Sequence, residues 1–258
     1  GAEWIDDIGL VISDEVHLIG DESRGPTLEM ILTHLKLLES KPQIIGLSAT
    51  ITNSNEIADW LDCKLVKNDW RPVPLSEGVC DGGKVTMSDG ETFEVKPSLR
   101  GIPIDLGVQS VQNGGQSLVF AETRVRSKSL ATKAADVISQ LLIKKELTAL
   151  EKTSKQILSE NEHTEIVKTL ATLVKKGVAF HHAGLNQKCR EIVEKEFRKG
   201  TIKLLSSTPT LAAGVNLPAR RVVISNINRY NAKVGANRPI SVLEYKQLSG
   251  RAGRPQYD

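Results

Sequence analysis

What this 258-residue chain lacks narrows its class before any motif is read. No uninterrupted apolar stretch approaches the roughly 20 residues that span a bilayer, so a membrane partner is not expected. The N-terminal residues show no basic-then-apolar leader. Cysteine is scarce: Cys63, Cys80 and Cys189 stand far apart, without the paired spacing of a zinc site. They read as reduced thiols of a cytoplasmic protein rather than a disulfide framework. Excess charge of one sign is small, at +3. That permits a nucleic-acid partner without arguing for one. Internal repeats and low-complexity segments are absent as well.

What remains is an ordinary globular composition, 40% hydrophobic and 25% charged, with a length that suits one large or two modest domains. Short apolar runs alternate with amphipathic helices, the pattern of an α/β protein with a mainly parallel sheet. Residues 8–12 read as a strand buried on both faces, a helix follows from Thr27, and residues 43–47 form the next strand. Between Trp70 and Gly115 prolines and glycines accumulate, and a hairpin is expected around Ser88-Asp89-Gly90. A second α/β unit opens with a strand at 117–121, with Ser127 capping its first helix. Later strands are expected at 178–180, 202–205 and 222–224, and the lysines between Lys144 and Lys176 read as solvated helix faces. The boundaries expected are therefore 1–72, a hairpin and linker at 73–115, and 116–258.

Four motifs carry chemistry. Asp14-Glu15-Val16-His17 follows the first apolar strand directly, at the carboxyl end where parallel sheets bind ligands. Adjacent carboxylates there would hold a hard cation such as Mg²⁺, mostly through water, and orient an attacking water. Acids after strands also serve as turn and cap residues. Ser48-Ala49-Thr50 at the next strand end strengthens the chemical reading, because its hydroxyls can bond the carboxylates or His17. At the C-terminus, Gln247-Leu248-Ser249-Gly250-Arg251-Ala252-Gly253-Arg254 sets two guanidinium forks among glycines, suited to phosphate. In phosphoryl transfer such an arginine neutralises charge developing on the γ-phosphate. The run from Ser206 to Pro218, with Thr208 and Thr210, puts hydroxyls and amides at a strand-to-helix junction. That makes a neutral contact to a nucleic-acid backbone.

With Leu118 to Arg124 and Phe180-His181-His182-Ala183-Gly184-Leu185, these motifs in this order resemble the superfamily 2 helicases, in their superkiller-like branch. Trp70 to Leu75, Ala212 to Arg220 and the closing Gly-Arg-Pro-Gln-Tyr-Asp are similar to archaeal fork-processing DNA helicases related to the helicase domain of DNA polymerase theta. The resemblance implies two RecA-like parallel-sheet lobes and a monomeric, ATP- and Mg²⁺-dependent motor on single-stranded or forked DNA. It implies Asp14 as the Mg²⁺-binding acid and Glu15 as the residue activating water. His17, Ser48 and Thr50 become coupling residues, and Thr123, Arg124, Thr208 and Thr210 become nucleic-acid contacts. Gly214, Asn216, Gln247, Arg251 and Arg254 face the nucleotide, Arg254 ahead of Arg251 as the finger. It also implies a strand-separating hairpin within Asn226 to Pro239, its turn at Val234 to Asn237 and its tip at Lys233, Val234, Gly235, Ala236 and Asn237.

One departure matters. No Gly-x-x-x-x-Gly-Lys-[Ser/Thr] loop occurs. In the family that loop precedes the acid pair and cradles the phosphates. The first lobe is therefore expected to be truncated in its N-terminal half, and this polypeptide alone to lack appreciable ATPase activity. Backbone-contacting motifs do not name the sugar, so an RNA helicase of the same branch stays open. A non-catalytic nucleic-acid-binding module is the reading from another class. The intact Glu15, Arg251 and Arg254 argue against it.

Overall fold

The computed structural model describes residues 3–21, 24–49, 51, 53–68, 70–71, 73–209, 215, 217–231 and 235–253. The chain forms two compact units, Gly1–Trp70 and Arg71–Asp258. Among the described residues no helix is long and apolar enough to cross a membrane.

In the first unit β1 (Leu10–Ser13) and β2 (Gln43–Gly46) pair in parallel, Leu10 opposite Gln43 and Ser13 opposite Gly46. A 3-10 turn over Val16–Gly20 and α1 (Gly25–Lys36) connect them, and α2 (Ser54–Leu61) follows. Val16, Leu32 and Leu61 make a small core. The expected double-sided burial of the first strand does not hold, since Leu10 and Ile12 are 50% and 61% exposed. The reason is architectural: among the described residues β1 has only β2 beside it, and an apolar strand is buried only where layers cover both its faces.

The second unit begins with an antiparallel meander, β3 (Gly78–Asp81), β4 (Lys84–Met87) and β5 (Thr92–Glu94). The β3–β4 loop is Gly82-Gly83 at φ +56° and +96°, the pair of left-handed conformations that a two-residue hairpin turn demands. The β4–β5 hairpin lies where its pattern is legible in the sequence. α3 (Ile102–Gln112) occupies a stretch read there as linker. Pro103 falls in its first turn, where the missing N–H breaks no helical bond.

β6 (Ser117–Phe120) leads through α4 (Arg124–Ser139), α5 (Lys144–Ser159) and α6 (Glu165–Lys175) to β7 (Val178–His181). Then come α7 (Gln187–Arg198), β8 (Leu204–Ser207) and β9 (Arg221–Ile224). The four strands form a parallel sheet in the order β7-β8-β6-β9. Every residue of β6, β7 and β8 is buried, and Phe120 of β6, Phe180 of β7 and Phe197 of α7 are among the largest fully enclosed side chains. A hairpin of β10 (Asn228–Asn231) and β11 (Ala236–Pro239) follows, then α8 (Val242–Ser249).

Three local expectations are corrected. Thr123, not Ser127, caps α4, accepting from the Arg126 amide at 3.1 Å. Ser127 is buried inside the helix and donates to the Ser206 carbonyl at 2.9 Å. Both are cap-type residues, and the one facing β8 is taken by the sheet. β8 starts two residues later than expected, so that Ser206 and Ser207 are strand residues; the Ser207 hydroxyl donates to the His181 carbonyl at 3.1 Å. The β10–β11 register, Asn231 opposite Ala236, puts Ala236 and Asn237 in a strand rather than in the turn.

Candidate functional site

Two backbone bonds draw the first-unit motifs together. The Leu47 amide donates to the Ser13 carbonyl at 2.8 Å, and the Val16 amide donates back to the Leu47 carbonyl at 2.9 Å. The parallel pairing is thus prolonged past both strand ends, so the segment after β1 lies beside the segment after β2. Asp14 and Glu15 are exposed there, while His17 is 4% exposed. Glu15 has φ +53°, a left-handed conformation uncommon for a residue with a side chain and frequent at working sites.

His17 is the centre of the cluster. Its Nδ1 accepts from the Ala49 amide at 3.2 Å, and the Ser48 hydroxyl lies 3.3 Å from the same nitrogen. A backbone amide can only donate, so in the neutral ring the hydrogen sits on Nε2. Nε2 faces Glu15 Oε2 at 3.0 Å. One imidazole therefore joins the acid of the first motif to the backbone of the second. Asp14 Oδ1 accepts from the Glu15 amide at 2.8 Å. Among the described residues no group of three or more acidic, histidine or cysteine side chains gathers to form a metal cage. An exposed carboxylate pair fits Mg²⁺, which keeps most of its waters and takes one or two protein carboxylates.

In the second unit, the carboxyl ends of the parallel strands bring together Thr123 and Arg124 after β6, His181 and His182 at β7, and Thr208 after β8. Thr123 and Arg124 are exposed; Thr208 is only 7% exposed, its amide donating to the His181 carbonyl at 3.1 Å. His182 stacks on Phe180 with ring centroids 5.4 Å apart and accepts from the Gly184 amide through Nδ1 at 3.1 Å. A Cβ on Gly184 would come within 3.1 Å of His182 Nδ1, tighter than ordinary contact, so this glycine leaves room for the imidazole, with Arg124 Nη1 the next neighbour at 3.4 Å. The role of His182 beside Arg124 escaped the sequence reading. The only signal was the His-His pair at a strand end.

Burial holds both histidines below the ordinary imidazole value. For His181 the Glu194 carboxylate, 2.9 Å from Nε2, opposes the shift; for His182 the charge of Arg124 reinforces it. A depressed folded pKa means the unfolded chain binds more protons, so stability is present above the ordinary value near 6.5 and falls as pH drops through that value toward the folded ones. Denaturant midpoints of this chain should fall between pH 7 and pH 5, with a shallower fall in His182→Asn. A midpoint rising on acidification would mean that Glu194 outweighs burial.

The arginine motif is tied to the segment before β9. Arg251 Nη1 donates to the Val215 carbonyl at 2.7 Å, the Ala219 amide donates to the Arg251 carbonyl at 3.0 Å, and Ala219 bridges Ala252 in parallel. Ser241 caps α8 by accepting from the Glu244 amide at 3.1 Å, and Gln247 lies in the helix, half-buried. Gly235 stands at φ +66° between the hairpin strands. Thr50, Thr210, Gly214, Asn216, Lys233, Val234 and Arg254 lie outside the described residues.

Residues 2–57 match the DEAD/DEAH box helicase family, and residues 139–256 match the helicase conserved C-terminal domain. The chain is 45% identical over 258 residues to the ATP-dependent DNA helicase Hel308 of Methanocella arvoryzae, a match covering 100% of this chain and 34% of that protein. The protein of the same name from Pyrobaculum calidifontis is 44% identical over 256 residues, 99% of this chain and 36% of the relative. That from Pyrococcus horikoshii is 43% identical over 258 residues, again 100% and 34%. The chain thus spans about a third of the length of the curated relatives it matches.

Proposed function

The chain belongs to the superfamily 2 helicases, and on that premise we propose that the complete protein is an ATP-dependent DNA helicase and translocase, a monomeric motor acting on single-stranded or forked DNA. The observation that carries the reading is the Glu15–His17–Ala49 chain of hydrogen bonds, which links a hydrolytic acid to the coupling segment.

In this mechanism Glu15 takes a proton from the attacking water as its oxygen bonds to the γ-phosphorus and the bond to ADP breaks. The carboxylate is half exposed, so one oxygen can meet the water while Oε2 holds His17. Once protonated, Glu15 accepts more weakly from His17 Nε2, and the change reaches Ala49 through the same ring. Asp14 with Glu15 would hold the Mg²⁺, which when bound neutralises phosphate charge. Arg254, with Arg251 beside it in sequence, stabilises the charge on the transferring group, and Gln247, Gly214 and Asn216 position the nucleotide. Thr123 and Arg124 contact the DNA backbone without reading bases, as do the hydroxyl-rich residues from Thr208 to Thr210. The β10–β11 hairpin parts the strands.

The test uses the complete protein with forked DNA and the matching RNA. DNA, and not RNA, should stimulate phosphate release, and deleting Lys233 to Asn237 should abolish unwinding while sparing that stimulation. Loss of both activities on deletion would remove the hairpin from its assigned role; stimulation by RNA alone would replace the substrate.

A further inference from the structure

The root of the hairpin holds a guanidinium that its own strand does not satisfy. Arg229 on β10 donates through Nη1 to the carbonyls of Asn226 and Asn228, at 2.7 and 3.1 Å. Its Nε and Nη2 are buried and find no hydrogen-bond partner among the described residues. These two nitrogens form the side-on edge that seats a carboxylate with two parallel bonds. Glu244 of α8 stands in front of that edge, its Oε1 3.8 Å from Nε: an ion pair by distance, too long for a hydrogen bond. Directly across the ladder from Arg229 is Arg238, so without Glu244 two like charges would oppose each other in the hairpin.

Glu244 sits in the first turn of α8, the helix that carries Gln247 and runs into Arg251. The next two residues on α8 are tethered elsewhere. Lys246 Nζ lies 3.4 Å from Glu77, and the half-buried Tyr245 hydroxyl is hydrogen-bonded to the same carboxylate. The helix bearing the arginine motif is therefore held from the meander side by Glu77 and from the hairpin side by Arg229.

We propose that Arg229 and Glu244 are positioning residues forming a latch between hairpin and arginine helix: the open fork at 3.8 Å closes into a two-bond pair when α8 moves. The inference rests on the helicase reading above, and adds to it how the hairpin is told the state of the nucleotide site. A shift of about an ångström brings the pair within hydrogen-bonding distance. Closure removes two unsatisfied buried donors, which gives the two arrangements distinct energies.

The test compares, in the complete protein, wild type, Arg229→Gln, Arg229→Lys, Glu244→Gln and the exchange Arg229→Glu with Glu244→Arg. Each single variant, the lysine one included because it keeps the charge and loses the fork, should unwind forked DNA about tenfold more slowly, with DNA-stimulated phosphate release within about twofold of wild type. The exchange should regain most of the loss. Unwinding that stays at wild-type rate in the single variants overturns the latch. So does an exchange no better than they are, or phosphate release that falls in step with unwinding. A wild-type protein without DNA-stimulated phosphate release overturns the helicase reading itself, and does so before any variant is made.

Discussion

Glu15→Gln in the complete protein should lower kcat for ATP hydrolysis by about a thousandfold, the scale of losing a positioned general base. The substitution is nearly isosteric and leaves an oxygen that can still accept from His17 Nε2 at the observed 3.0 Å, so the link to Ala49 survives. It also leaves the backbone of residue 15 at φ +53°, which a glutamine tolerates as a glutamate does. What disappears is the capacity to take a proton from water. Nucleotide affinity should therefore stay close to wild type while single-turnover phosphate release collapses. Asp14→Asn, in contrast, should raise the Mg²⁺ concentration needed for half-maximal rate. A fall of less than tenfold in Glu15→Gln, at normal nucleotide binding, would take the base role away from this residue.

The second large effect belongs to the C-terminal arginines. Arg254→Ala should reduce kcat by about 10³-fold or more, the range seen when an arginine that meets transition-state charge is removed. Arg254→Lys should rescue little of it, because an ammonium cannot replace a planar fork. Arg251 is bound differently: its Nη1 already holds the Val215 carbonyl at 2.7 Å, and its own carbonyl receives the Ala219 amide. Arg251→Ala should thus show a lower melting temperature together with a milder loss of kcat. Arg254 lies outside the described residues, and its assignment as the finger is what the resemblance of the Gly-Arg-x-Gly-Arg motif to the helicase family implies. The measurement is phosphate release in a single turnover, beside thermal unfolding of each variant. If Arg251→Ala loses more kcat at unchanged stability, the two residues exchange roles.

The legibility of the sequence followed burial. Strands β6 and β7 are enclosed on both faces and appear as unbroken apolar runs, found within a residue or so of their place. β1 shows the same kind of run, yet half its residues face solvent, because a run records what a strand is suited to and not which layers cover it. α3 was hidden by Pro103, which breaks a helix in its middle and starts one at its first turn. The hairpin turn was misplaced for want of an Asn-Gly or Asp-Gly signal; only the ladder, Arg229 opposite Arg238, fixes which residues face each other.

Order and chemistry were therefore written in the chain itself. The acid pair, the Ser-Ala-Thr segment and the arginine motif are contiguous runs, readable because covalent neighbours and strand ends are local properties. Tertiary structure alone decided which nitrogen of His17 carries the hydrogen, why Ser127 serves β8 rather than the helix cap, and that Arg229 faces Glu244. The first depends on the β1–β2 pairing, the second on a sheet whose order, β7-β8-β6-β9, is not the order of the chain, and the third on a hairpin folded back onto the helix after it. Hydrogen bonds and ion pairs act over about 3–4 Å, and no periodicity along a sequence encodes distances that short between residues so far apart.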